Sequence, residues 1–183
     1  MTGATRKTLH KTKIALLLIF LCMGLWGCPY DSLTPLGPVD EALIDPALPG
    51  IWLCSSEEDK NSWQFHFYAF DEKQYYVTAI AEGEAPVHFR AYTTIIKGKP
   101  FLNAQELEFA KPVAKRTFWF LRYFAGSDGS LVFKHLRDKD FGTDVQAVRS
   151  YIEKNIDSPD LYEDYCICKK SITKDKGKSI AEP

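Results

Sequence analysis

The sequence predicts a mainly β domain: an antiparallel β-barrel of about eight strands, with one α-helix before the last of them. A two-sheet β-sandwich is the alternative. Three observations carry this expectation. Short β-prone runs follow one another from position 50 to 137, joined by links of a few turn-forming residues. Within several runs apolar and polar side chains alternate, as on a half-buried sheet. Only one later stretch has helical spacing. Strands in sequence joined by tight turns run antiparallel, and eight of them without a partner sheet escape exposed edges by closing on themselves.

The chain begins with a segment unlike the rest. Met1 to Lys13 holds Arg6, Lys7, Lys11 and Lys13 and no acidic residue, and Ile14 to Trp26 (IALLLIFLCMGLW) is uncharged. A basic stretch followed by a short apolar one is the order of an export signal. The apolar run is short of the roughly 20 residues a membrane-spanning helix needs. Residues 1–27 are therefore expected to be removed. Leu25-Trp26-Gly27-Cys28 resembles the bacterial lipobox. That resemblance implies a diacylglyceryl thioether on Cys28, cleavage before it and acylation (palmitate or a similar chain) of the new amine. It implies a lipoprotein anchored in the cell envelope. Pro29 follows where aspartate would retain such proteins at the inner membrane, so the expected place in a Gram-negative cell is the outer membrane, facing the periplasm. Residues 28–48 carry Pro29, Pro35, Pro38 and Pro46, with Pro49 next, a composition suited to an extended tether.

The domain is expected over residues 49–170. Its strand candidates are Gly50 to Cys54, Trp63 to Phe70, Gln74 to Ile80, Val87 to Ile96, Phe101 to Glu108, Thr117 to Ala125 and Ser130 to Arg137. In the second, Trp63, Phe65, Phe67 and Ala69 share one face and Gln64, His66 and Tyr68 the other. Thr117 to Ala125 (TFWFLRYFA) is apolar on both faces, which calls for a cover on its outer side or a partner there. Val145, Val148, Ile152 and Ile156 then fall at helical spacing, with Thr143 or Asp144 as cap. Ser158-Pro159-Asp160 ends that helix, and Tyr165 to Lys169 (YCICK) reads as the last strand. Residues 171–183 are polar, Lys-rich and aperiodic, and are expected to be disordered.

This order of elements, with Gly50-Ile51-Trp52 at its start, resembles the lipocalin or calycin group. The resemblance implies that Trp52 packs across the closed end of the barrel and that the interior binds a small apolar molecule. Trp52, Trp63, Phe65, Phe67 and Phe89 are the inward aromatic set that could line such a pocket. Arg122, on an apolar strand, would anchor a ligand carboxylate if it points inward, and would snorkel outward otherwise.

Cys54 lies on the first strand and Cys166 and Cys168 on the last, strands that become neighbours when a barrel closes. A disulfide from Cys54 to either is expected in an oxidising compartment, leaving one thiol. Cys-x-Cys is not the usual zinc spacing and no fourth ligand is evident, so no metal and no cofactor is expected. His66, His88 and His135 stand singly, Glu57, Glu58 and Asp59 read as a solvated loop, and no nucleophile or phosphate-binding motif occurs. No enzyme is expected. Beyond the four basic residues of the signal, 19 basic residues face 24 acidic ones, which argues against nucleic acid. The expected function is a non-catalytic binder or carrier of a small apolar ligand, held to the membrane through Cys28. The competing expectation is a structural or assembly lipoprotein that docks another envelope protein through outward apolar residues such as Trp119 or Tyr92.

Overall fold

A computed structural model describes residues 30–56, 62–108, 110–137, 139, 141 and 144–171. The segment expected to be an export signal, Cys28, Glu57, Glu58, Asp59, Thr143 and all of the polar tail after Ser171 lie outside the described residues. Among the described residues the strands are β1 (Asp31–Ser32), β2 (Gly50–Ser55), β3 (Ser62–Ala69), β4 (Tyr75–Ala81), β5 (Val87–Ile96), β6 (Lys99–Glu106), β7 (Phe118–Ala125), β8 (Leu131–Leu136) and β9 (Tyr162–Lys170), with one α-helix, α1 (Val145–Asn155).

Strands β2 to β9 close into an eight-stranded antiparallel meander: each pairs with the next, and β9 returns to β2. Closure excludes the sandwich. The tight β5–β6 hairpin shows why local sequence sets the register. Ile96 pairs with Lys99, so Lys97 and Gly98 alone make the turn, both with positive φ, as a two-residue hairpin turn of the primed type demands. Asp144 caps α1 by accepting from the backbone N–H groups of Gln146 and Ala147.

Two apolar layers result. One fills the barrel, led by Trp52, Phe65, Phe67, Phe89, Leu121 and Phe133. The other lies outside the wall, where Val148, Ile152 and Ile156 of the α1 region meet Tyr92, Phe101 and Phe120. β7 contributes to both, which accounts for its two apolar faces: Leu121 and Tyr123 point in, Phe118 and Phe120 point out beneath a cover.

Part of that cover was expected to be a tether. Residues 30–48 are not an extended spacer but pack along the barrel. Tyr30, Leu36, Ala42 and Leu48 are all buried, and β1 pairs with the start of β7 beyond the point where β8 leaves off. Polar contacts fix the path: Leu36 N–H donates to Asn103 Oδ1 at 2.8 Å, and the Tyr92 hydroxyl to the Gly37 carbonyl at 3.0 Å. A Cβ on Gly37 would stand 2.8 Å from Thr94 Cγ2, so the close approach requires glycine. Proline stiffens this segment without keeping it in solvent.

Candidate functional site

The barrel has a plugged end and an apolar end. At the plugged end the N-terminal segment turns across the opening, and Ile44 and Leu48 enter the core. Trp52 lies here, its indole N–H donating to the Leu48 carbonyl at 2.8 Å and the Lys170 ammonium 5.2 Å from its ring. The Asp45 backbone N–H donates to the Tyr75 hydroxyl, and the Asp45 carboxylate accepts from the Tyr123 hydroxyl at 2.8 Å. Thr93 Oγ1 is 3.3 Å from the same hydroxyl. Burial pushes both tyrosines up from the ordinary phenol range.

Towards the other end the interior is carbon. Phe65, Phe67, Phe89, Trp119, Phe133 and Tyr165 lead the lining of a cavity of about 30 Å³, and no charged residue among the described ones lines it. Phe67 and Phe133 stack with centroids 6.2 Å apart and planes within 3°; Phe89 packs on Trp119 at 5.7 Å. Pockets for drug-sized ligands run to about 300 Å³ or more. The aromatic set therefore fills most of its own pocket. Of the residues expected to line it, Phe65, Phe67 and Phe89 do so. Trp63 stands beside it against Tyr165, at 5.8 Å between rings, with a buried indole N–H that has no hydrogen-bond partner among the described residues. Trp52 is away at the plug. Phe133 and Tyr165 are lining residues that sequence reasoning did not single out, and Trp119, expected to face outward, lines the cavity too. Strand parity would have paired Trp119 with Leu121 and Tyr123, but not shown which face was interior.

Tyr165 enters the core through an irregularity. Phe133 pairs with Cys166 and Lys134 with Asp164, which leaves Tyr165 as the extra residue of a β-bulge. Its neighbour His135, ring centroids 4.2 Å away, is driven down to about 4 by burial and stays neutral. His66 contacts Gln64 and Tyr68, and His88 stacks on Tyr76, on the outer face. The three histidines form no common site.

Arg122 is not a ligand anchor in the interior. It faces the outer layer, buried, where Nη1 donates to the Ile156 carbonyl at 2.6 Å and the guanidinium lies over Phe124 and Tyr162 at 4.5 and 4.8 Å. It holds the end of α1 to the wall, a favourable place for a cation. Nor are Trp119 and Tyr92 outward contacts for a partner. Trp119 belongs to the cavity lining, and Tyr92 is buried under the N-terminal segment.

The cysteine expectation resolves to one pair. Cys54 and Cys168 face each other across β2 and β9 and are joined as a disulfide, spanning 114 residues of sequence. Cys166 keeps a buried thiol 3.6 Å from Cys168 Sγ, and burial pushes it up to about 12. All three sulfurs lie within 4.8 Å of one another.

No family model matches the sequence, and no curated protein or solved structure matches it either.

Proposed function

We propose that the chain is a non-catalytic lipoprotein of the cell envelope whose barrel takes a slender apolar group, such as the end of an aliphatic chain, at the end opposite the plug. The observation that carries this reading is that the chain enters the fold at the same end as the apolar cavity. Asp31 pairs with Trp119, and Tyr30 is held by its N–H to the Leu136 carbonyl at 3.2 Å. Cys28 precedes Tyr30 by two residues, a reach of about 7 Å in extended chain. A lipid on Cys28 would therefore bring the membrane to the apolar end, with the plug turned away. Two or three acyl chains suffice for a firm hold, at about 0.8 kcal/mol for each buried CH₂. The small cavity supports a narrow guest in preference to a bulky one, since deeper entry requires the aromatic rings to give way.

The anchor is tested by expressing the full chain in a bacterial host. Cys28→Ser should leave the precursor uncleaved or release the domain from the membrane fraction; unchanged processing and lipid labelling would reject it. The guest is tested by native mass spectrometry of the protein taken from its membrane, and by titrating tryptophan fluorescence with decanoate. Ala104→Leu, which adds volume to the cavity wall, should abolish the response. A chain that retains no apolar mass and gives no response refutes the binding role.

A further inference from the structure

We propose that Cys54, Cys166 and Cys168 form a thiol–disulfide exchange site, in which Cys166 displaces Cys54 from Cys168 and moves the disulfide from the β2–β9 seam to within β9. The geometry that supports it is contact: the free sulfur stands 3.6 Å from Cys168 Sγ, and the leaving sulfur lies in the same cluster. The step balances without an outside reagent. The Cys166 thiolate attacks Cys168 Sγ, the Cys166–Cys168 bond forms, the Cys54–Cys168 bond breaks, and Cys54 leaves as a thiolate that takes the proton Cys166 gave up.

The local fold explains why the third sulfur is there. Cys166 and Cys168 are two apart on β9 and share its inner face, while the bulge at Tyr165 begins beside Cys166. Two residues of strand span about 6.6 Å, near the upper end of what a disulfide bridges. The moved bond is therefore the minor species. Its consequence is access. Cys166 lines a pocket of about 160 Å³ with Ser56, Lys134, Asp164, Tyr165 and Ile167, whereas neither Cys54 nor Cys168 lines it. Exchange converts a disulfide between two cysteines that do not line that pocket into one that includes a residue lining it.

Thiolate supply sets the rate. Burial keeps the Cys166 thiol protonated at neutral pH. The titratable groups around it are Tyr165 on its own strand, His135 against Tyr165, and the Lys134–Asp164 ion pair at 2.5 Å in the adjoining pocket. The charges of that pair offset each other, so the rate should rise about tenfold per pH unit below the thiol's own range.

The test follows the position of the free thiol. Oxidised full-length protein is held at pH 5, transferred to pH 8 or 9, quenched in acid, unfolded and alkylated below pH 6, where exchange is frozen. Alkyl on Cys166 marks the seam bond; alkyl on Cys54 marks the moved one. A minor fraction of Cys54 label should grow in, about ten times faster at pH 9 than at pH 8, and Cys166→Ser should leave Cys54 unlabelled throughout. The proposal is overturned if Cys54 stays unlabelled in the native chain after a day at pH 9, or if Cys166→Ser shows the same Cys54 label. Should that variant fail to fold, the native pH series decides alone.

Discussion

The Tyr123 hydroxyl donates to the Asp45 carboxylate across 2.8 Å, and this bond ties the far end of β7 to the segment that plugs the barrel. Tyr123 is buried and Asp45 reaches it from 78 residues away in sequence. Tyr123→Phe removes the donor and keeps the ring. It should lower unfolding free energy by about 1–2 kcal/mol, read from urea denaturation. Asp45→Asn, whose amide oxygen can still accept, should lose less; an equal loss in both variants would show that the bond stabilises only when its acceptor is charged.

Alkali should destabilise the barrel. Burial raises Tyr75, Tyr123 and Tyr162, takes Tyr92 and Tyr165 up to about 12, and does the same to Cys166. Each is protonated in the fold at a pH where the unfolded chain has lost the proton. The folded state then binds more protons, so stability falls as pH rises. The contribution is whole below about pH 9 for the thiol and 10 for the phenols, and is lost progressively up to 12. Urea midpoints from pH 8 to 12 should drop accordingly, and less steeply in Tyr123→Phe.

Arg122 should behave as a structural residue. Truncation to alanine deletes a charged hydrogen bond to Ile156 and the stacking on Phe124 and Tyr162, a loss of about 2–3 kcal/mol. Arg122→Lys keeps the charge but not the planar fork and should recover little. Decanoate binding, measured on the folded fraction, should be unchanged. A large loss of binding with stability intact would return Arg122 to the ligand.

These contacts show what could be read from the sequence. The barrel strands were legible because alternation and tight turns are local: Lys97-Gly98 and Gly126 to Gly129 mark hairpins wherever they stand. The helix was legible from Val145, Val148 and Ile152 for the same reason. The role of residues 30–48 was not. Tyr30, Leu36, Ala42 and Leu48 follow neither a strand nor a helix period, and each finds its partner only in the tertiary fold. Arg122 shares a strand face with Phe118 and Phe120, but periodicity does not say which face is inside. Likewise, spacing left Cys54 with two possible partners. The choice depends on register, which the bulge at Tyr165 helps to set.

His135 should make the fold lose stability between pH 6.5 and 4. Burial lowers it from 6.5 to about 4, so it is neutral in the fold while the unfolded chain takes up a proton below 6.5. Between these values the unfolded state binds more protons, and stability is lost as pH falls. The shift sets an upper bound of about 3 kcal/mol. Asp71 and Asp128 are also displaced, held low first by the Lys73 N–H and by the Ser130 side chain. Both are fully exposed in the loops and act below their ordinary range, outside this window. His135→Phe keeps an aromatic ring against Tyr165 and removes the proton site. Urea midpoints of the native chain should fall between pH 6.5 and 4, and those of His135→Phe should stay nearly level. If both fall alike, the proton is taken up elsewhere, and the ring of His135 is packing alone.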